Sequence, residues 1–348
     1  MNRSGPIPII DCFCGAGGLS IGFEQAGFEV QYAFDFDPAA IATYRHNPKY
    51  HHGPSFVRDI RNVDRKSIER DLGRPLGRIV GVIGAPPCQG FSVQRRGSDQ
   101  DPRNDLVLEY ARMIADIRPL FFVLENVVGI LSKRGAPYIE KLETELGGKG
   151  YSFQVRKLTV SDFGVPQTRT RVILIGQLKE SGLPPIPFPE ASGEPPKTVR
   201  DAIFDLMRKT ESDIPNHRAD KLSDINLKRI RSIKEGQGRD SLPEELRLHC
   251  HSSNSTHRHL DTYGRMSWNE PAPTITAKFD SFSRGRFGHP TLDRTITLRE
   301  GARLQTFPDD FEFLGGKIEV ARQIGNAVPP LFAKQLAECI NRTIRSKQ

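Results

Sequence analysis

The chain has 348 residues, 37% of them hydrophobic and 26% charged, with a formal net charge of +8. This is the composition of a globular protein with ample material for a core, and no apolar run approaches the ~18 residues that a membrane span needs. Five cysteines, an odd number in a long chain, argue against a disulfide framework and for a reducing cytoplasm, and a pI near 9.3 points to a polyanionic partner.

Ile7 to Asp11 reads as a first strand, leaving no room for a signal peptide before it. The segment Cys12-Phe13-Cys14-Gly15-Ala16-Gly17-Gly18-Leu19 follows, and Leu19 to Gln25 reads as a helix. Strand, glycine turn and helix N-terminus make a nucleotide-type pocket. The spacing is not that of a dinucleotide fingerprint, and Asp11 at the strand end would repel a pyrophosphate. A ligand with a cationic or zwitterionic group suits that acid better. Cys12 and Cys14 have no nearby Cys/His pair, so no metal site is expected.

A second strand, Glu29 to Asp35, ends in an acid, and Asp37-Pro38 opens a helix through His46. Asp35 is placed to accept ribose hydroxyls; a capping acid is the other reading of the same position. Phe56 to Ile60 reads as a third strand that sets Asp59 near the edge of a base.

Ile79 to Ile83 is a short β-branched run that Pro86 and Pro87 must terminate. Cys88 thereby stands on a stiff loop at a strand's C-terminal end, as a nucleophile or as a small buried hydrophobe. Arg95 to Asn104 is polar and charged, Asp105 to Ile117 has helical periodicity, and the strand Leu120 to Leu124 ends in Glu125-Asn126-Val127. A second acid therefore joins the same sheet edge. Tyr138 to Leu146 reads as helical and Phe153 to Val160 as extended. Gln167-Thr168-Arg169-Thr170-Arg171 then leads into the strand Val172 to Ile175, and alternation sets both arginines on one face, for which surface salt bridging is the ordinary explanation. A proline-rich linker begins at Pro184. The text beyond it is irregular, with a short strand at Thr274-Ile275-Thr276, until an amphipathic helix at Leu331 to Ile344.

Five ordered blocks resemble those of the DNA cytosine-5 methyltransferase family, in its prokaryotic modification-methylase form. They are Asp11 to Gly18, Pro86-Pro87-Cys88-Gln89, Glu125-Asn126-Val127, Gln167 to Arg171, and Gln323-Ile324-Gly325-Asn326-Ala327-Val328. Thr297 to Glu300 with Arg303 to Pro308 resembles a sixth. The resemblance implies an α/β fold with a mostly parallel sheet and helices on both faces. Residues 1–182 and 318–348 would form the catalytic domain, and 183–317 a smaller target-recognition domain.

The implied activity is methylation of cytosine carbon 5 in a short duplex DNA sequence, with S-adenosylmethionine as donor. By resemblance, Cys88 adds to carbon 6, Glu125 holds ring nitrogen 3, Arg169 binds the base's carbonyl oxygen and Arg171 supports the loop. Phe13 stacks on adenine, and Gly15, Ala16, Gly17, Gly18 and Leu19 approach the methionine moiety. Asp35 takes the ribose, shorter by a methylene than the glutamate many members have. Phe36, Asp59, Ile60, Pro86, Leu106, Asn326, Ala327 and Val328 complete the cofactor set. Gln89, Ser92, Arg95, Arg96 and Gln167 are expected at the DNA, with Arg284 and Arg286 reading bases. The implied enzyme is a cytoplasmic monomer with no obligate protein partner. A tRNA-methylating subgroup shares the scaffold, but its Cys-Phe-Thr segment is not in this sequence.

Overall fold

The computed structural model describes residues 5–87, 105–248 and 261–346. It divides into two compact units. The first comprises Met1–Phe163, Thr170–Ser192 and Val328–Gln348; the second comprises Gly164–Arg169 and Gly193–Ala327. By contacts, the last boundary therefore falls after Ala327, ten residues beyond the expected limit at 317.

The first unit is built on one seven-stranded sheet, in the order β3-β2-β1-β4-β5-β7-β6. Its strands are β1 (Ile7–Cys12), β2 (Phe28–Asp35), β3 (Ser55–Val57), β4 (Gly81–Gly84), β5 (Phe121–Val127), β6 (Tyr151–Thr159) and β7 (Thr170–Leu178). The first five pair in parallel, and β7 runs antiparallel to both β5 and β6. A parallel sheet is covered on both faces, which is why β1, β4 and β5 are apolar runs without alternation. The chain order reverses between β1 and β4, and Cys12 lies level with Gly84 across that pair. The crevice outside the strand ends at such a switch point is the general ligand site of open α/β sheets.

The expected α/β class holds. The third strand is shorter than its pattern suggests, because Asp59 takes up an N-cap instead, accepting the Arg61 amide at 3.0 Å and opening a 3-10 turn at Ile60–Asn62. Helices α1 (Gly18–Gln25), α2 (Pro38–His46), α3 (Arg65–Leu72), α4 (Leu106–Ile117) and α5 (Ala136–Gly148) flank the sheet. Tyr110 of α4 is fully buried, with its hydroxyl 2.6 Å from the Val123 carbonyl of β5.

The C-terminal helix belongs to this unit although it is last in the chain. Of three later helices, α8 (Leu298–Leu304), α9 (Lys317–Asn326) and α10 (Pro330–Ser346), only α10 does so. It lies against α1 at Gly22, where an added Cβ would stand 2.4 Å from Ala333 Cβ and 2.6 Å from the Pro330 carbonyl oxygen. Asn341 donates to the Ala26 carbonyl at 2.6 Å, and Arg345 to that of Gly5 at 3.0 Å. Because backbone cannot yield as a side-chain tip can, Gly22→Ala should cost roughly 1–3 kcal/mol. Denaturant unfolding followed by circular dichroism checks this; an unchanged midpoint would refute the close approach.

Among its described residues the second unit has little regular structure: α6 (Val199–Ile203), α7 (Asp224–Ser232), α8, α9 and short 3-10 turns. No strand forms at Thr274-Ile275-Thr276, and only isolated bridges occur nearby. Irregular backbone leaves carbonyls without ladder partners, and buried guanidinium groups meet them here. Arg299 is fully buried and donates to the carbonyls of Pro215, Pro308 and Phe311. Arg265 donates to those of Ile230, Ile233, His289 and Leu292, and pairs with Asp293.

Candidate active site

The turn between β1 and α1 is shaped by left-handed residues: Phe13 at φ 60°, Gly15 at 55° and Gly17 at 94°. Gly15 donates its amide to Asp35 Oδ2 at 2.9 Å, and the Asp37 amide donates to Oδ1 at 2.8 Å. The end of β2 is thus tied to the turn by its own carboxylate. Burial raises the Asp35 carboxyl, partly offset by these two amides. Phe36, the next residue, is 72% exposed. A Cβ on Gly15 would meet nothing within 4 Å, so the turn has open space over it. An uncovered ring beside an acid, with room above a glycine turn, fits an adenosine-bearing cofactor.

Of the other residues expected there, Gly18 and Leu19 begin α1, and Ala16 is buried within the turn. Ile60 is buried beside half-exposed Asp59, Leu106 opens α4, and Pro86 lies just past β4, its carbonyl accepting from Asn126 Nδ2 at 3.3 Å. Val328 is buried in the first unit. Asn326, exposed, and Ala327 close α9 in the second.

Asp11 lies beneath the turn with no exposure. Its Oδ2 accepts from Ser20 at 2.6 Å, while Oδ1 has no hydrogen-bond partner among the described residues. Burial, opposed by the Ser20 hydrogen bond and reinforced by the nearby charges of Asp35 and Glu24, pushes its carboxyl up to about 8. It is therefore mainly a neutral acid at pH 7, and gives a cationic ligand less charge than the sequence suggests. The folded state keeps a proton that the unfolded chain releases near the usual 3.8. The resulting stability is complete below that value and is lost as pH rises through about 8. Asp11→Asn, which does not titrate, should match the wild type near pH 4 and become progressively more stable than it toward pH 9. Thermal midpoints across that range check this; a constant difference would contradict it.

At the other side of the switch point, Glu125 of β5 is buried and sits opposite Ile173 of β7. Arg171 is two residues from Ile173 in an antiparallel strand, so it is the diagonal neighbour on the same face. Its Nε lies 2.9 Å from Glu125 Oε1. The contact is an ion pair by distance but not an aligned hydrogen bond, so Oε1 is buried with no donor directed at it. Burial of a carboxylate in this state favours a further donor from a ligand.

Arg169 is buried in the second unit, where its Nη1 donates to the carbonyls of Ile275 at 3.1 Å and Gly325 at 2.9 Å. The alternation expected to put both arginines on one face does not apply, because β7 begins at Thr170. Gln167, expected at the DNA, is fully buried in the second unit: Nε2 donates to Leu304 O and Gln305 Oε1, and Oε1 accepts from the Ile275 amide.

Arg286 donates to the Gly236 carbonyl and to Asp261, so its guanidinium is engaged within the unit, whereas Arg284 is exposed. Gly288 serves packing, since a Cβ there would meet Gly264 O at 2.8 Å. Cys88, Gln89, Ser92, Arg95 and Arg96 lie outside the described residues, as does the stretch 249–260. No sequence signal marks the Asn126 bond to Pro86, which joins the β5 end to the loop leading into Cys88.

The family model for C-5 cytosine-specific DNA methylases matches residues 7–342. The chain belongs to this family. It is a DNA (cytosine-5-)-methyltransferase, and methyl transfer by this family implies use of S-adenosylmethionine. It is 35% identical to the Type II methylase M.HgiDII of Herpetosiphon aurantiacus, over 96% of this chain and 95% of that one. It is 31% identical to the Type II methyltransferase M.AgeI of Thalassovita gelatinovora, over 96% and 99%. A solved E. coli structure described as a prophage-encoded DNA modification methyltransferase superposes with a TM-score of 0.78 at 27% identity, covering 97% of this methylase and 99% of that chain. The Entamoeba histolytica methyltransferase EhMeth, with a TM-score of 0.69 at 17% identity over 98% and 99%, shares the fold.

Proposed function

We propose that this methylase modifies a cytosine flipped out of a specific short duplex DNA sequence, through a covalent adduct of Cys88. The observation that carries the reading is the pairing of buried Glu125 with partly exposed Arg171 at the sheet edge that also leads into Pro86-Pro87-Cys88. Carbon 5 of cytosine is too weak a nucleophile to be methylated unaided. Thiolate addition at carbon 6 makes it enamine-like, and Cys88 is suited to that addition. Glu125 holds ring nitrogen 3, and Arg171, rather than Arg169, stabilises charge on the base's carbonyl oxygen. S-adenosylmethionine supplies the electrophilic methyl group when bound. Phe13, the glycine turn, Asp35 and Phe36 hold it, with Asp59, Ile60, Pro86, Leu106 and the segment 326–328 around it. Loss of the carbon-5 proton then expels Cys88.

Carbon 6 of a paired cytosine is enclosed in the stack, which is why flipping precedes addition. The second unit reads the target, and exposed Arg284 is a better candidate than Arg286 for a base edge. The names of the relatives support a Type II modification enzyme; a solitary methylase is the other reading, and in either case the proposed form is a cytoplasmic monomer. No helix among the described residues is long and apolar enough to cross a membrane. Bisulfite sequencing of DNA from cells expressing the chain tests the reading: one protected cytosine in a fixed short sequence is expected. Uniform conversion at every site would refute it.

A further inference from the structure

The cofactor turn rests on a buried side chain from a different part of the chain. After α2, the amides of Tyr50 and His51 both donate to the Asn47 carbonyl, at 3.0 and 3.2 Å, while Asn47 Nδ2 caps Thr43 O at 2.8 Å. This tight return brings His51 back beneath the N-terminus of α1. Its ring is buried and stacks on Tyr44, with centroids 3.7 Å apart and planes 13° apart. Tyr44 in turn donates to Ser20 Oγ at 3.0 Å, and Ser20 to Asp11, so the stack stands on the floor of the turn.

Of the ring nitrogens of His51, Nε2 lies 3.2 Å from the Ala16 carbonyl, whereas Nδ1 faces Glu24 Oε2 of α1 at 3.8 Å, beyond hydrogen-bond distance. A carbonyl only accepts, so Nε2 carries the hydrogen and donates. The Gly17 amide donates to the Cys14 carbonyl at 2.8 Å. The peptide between Ala16 and Gly17 is thus held at both ends, by the turn's own backbone on one side and by His51 on the other. A Cβ on Gly17 would fall 2.1 Å from His51 Cε1, so the ring also fills the space that any larger residue at 17 would take.

We propose that His51 is a positioning residue for the cofactor turn: its Nε2–H fixes the Ala16–Gly17 peptide and thereby sets affinity for the adenosyl cofactor. The inference rests on the cofactor site proposed above. His51 does not touch the cofactor in this account; it acts through the peptide, so cofactor affinity is what it should change, and DNA affinity should be spared.

Two variants of the full-length chain separate the donor from the ring. His51→Phe keeps a ring over Tyr44 and removes the donor; His51→Gln keeps a donor and removes the ring. Titration calorimetry with S-adenosylhomocysteine should show affinity roughly tenfold weaker in His51→Phe, as expected for a buried carbonyl losing its partner. His51→Gln should stay within about threefold of wild type, and both should bind target duplex as wild type does. Wild-type affinity in His51→Phe would overturn the inference. So would equal weakening in both variants, or a parallel loss of cofactor affinity, DNA affinity and thermal midpoint, which is what a merely structural residue would give. Wild type failing to bind S-adenosylhomocysteine would overturn the cofactor site itself, and this inference with it.

Discussion

Cys88→Ser should reduce methyl transfer by roughly 10³-fold or more while leaving the fold and cofactor binding intact. A serine hydroxyl is far too weakly acidic to add to carbon 6 at neutral pH, whereas a cysteine supplies some thiolate even without help. The fold should be indifferent to the change, because the loop is anchored upstream of it: β4 pairs with β1 and β5, and Asn126 holds the Pro86 carbonyl. Duplex carrying 5-fluorocytosine should trap the wild type covalently, since fluorine cannot depart as the carbon-5 proton does, and Cys88→Ser should form no such complex. Denaturing electrophoresis of the fluorinated duplex reads this directly. Near-wild-type turnover in the serine variant would remove Cys88 from the mechanism.

The two units differ in how far their sequence discloses them, for a physical reason. In the first, β1, β4 and β5 are apolar runs that give way to an acid, glycine or proline, so the centre of the sheet and the ends of its strands can be read from residue order. What escapes is what depends on three-dimensional neighbours. Asp11 reads as an acid available to a cation, yet burial, reinforced by the nearby charges of Asp35 and Glu24, pushes its carboxyl up to about 8. His51, which no motif marks, is buried against Tyr44. In the second unit, polar text normally signals a solvated or ligand-binding surface. Here Gln167, Arg265 and Arg299 point inward, because irregular backbone needs donors for its carbonyls. No periodicity in one dimension distinguishes an arginine that faces a carbonyl from one that faces a phosphate.

The pair Arg169 and Arg171 tests that distinction most sharply, and their alanine variants should fail in opposite ways. Arg171 is a partly exposed residue in β7 whose guanidinium lies beside buried Glu125. Removing it takes away the cation next to the carboxylate but leaves the β5–β7 ladder, which is made of backbone. Arg171→Ala should therefore lower kcat by about 10²–10³-fold, the usual scale for loss of one charge-stabilising donor, with little change in thermal midpoint. Arg169 is buried, with Nη1 shared between Ile275 O and Gly325 O. Arg169→Ala leaves those carbonyls short of a donor in a unit whose described residues form no sheet to replace it. A loss of roughly 2–4 kcal/mol is expected, and the protein that remains folded should turn over within about tenfold of wild type. Arg171→Lys restores the charge but not the planar fork, so it should recover only part of the rate. Rates and melting curves on the same preparations decide the matter. If Arg169→Ala stayed fully stable and lost activity while Arg171→Ala kept it, the residue facing the base would be Arg169 after all.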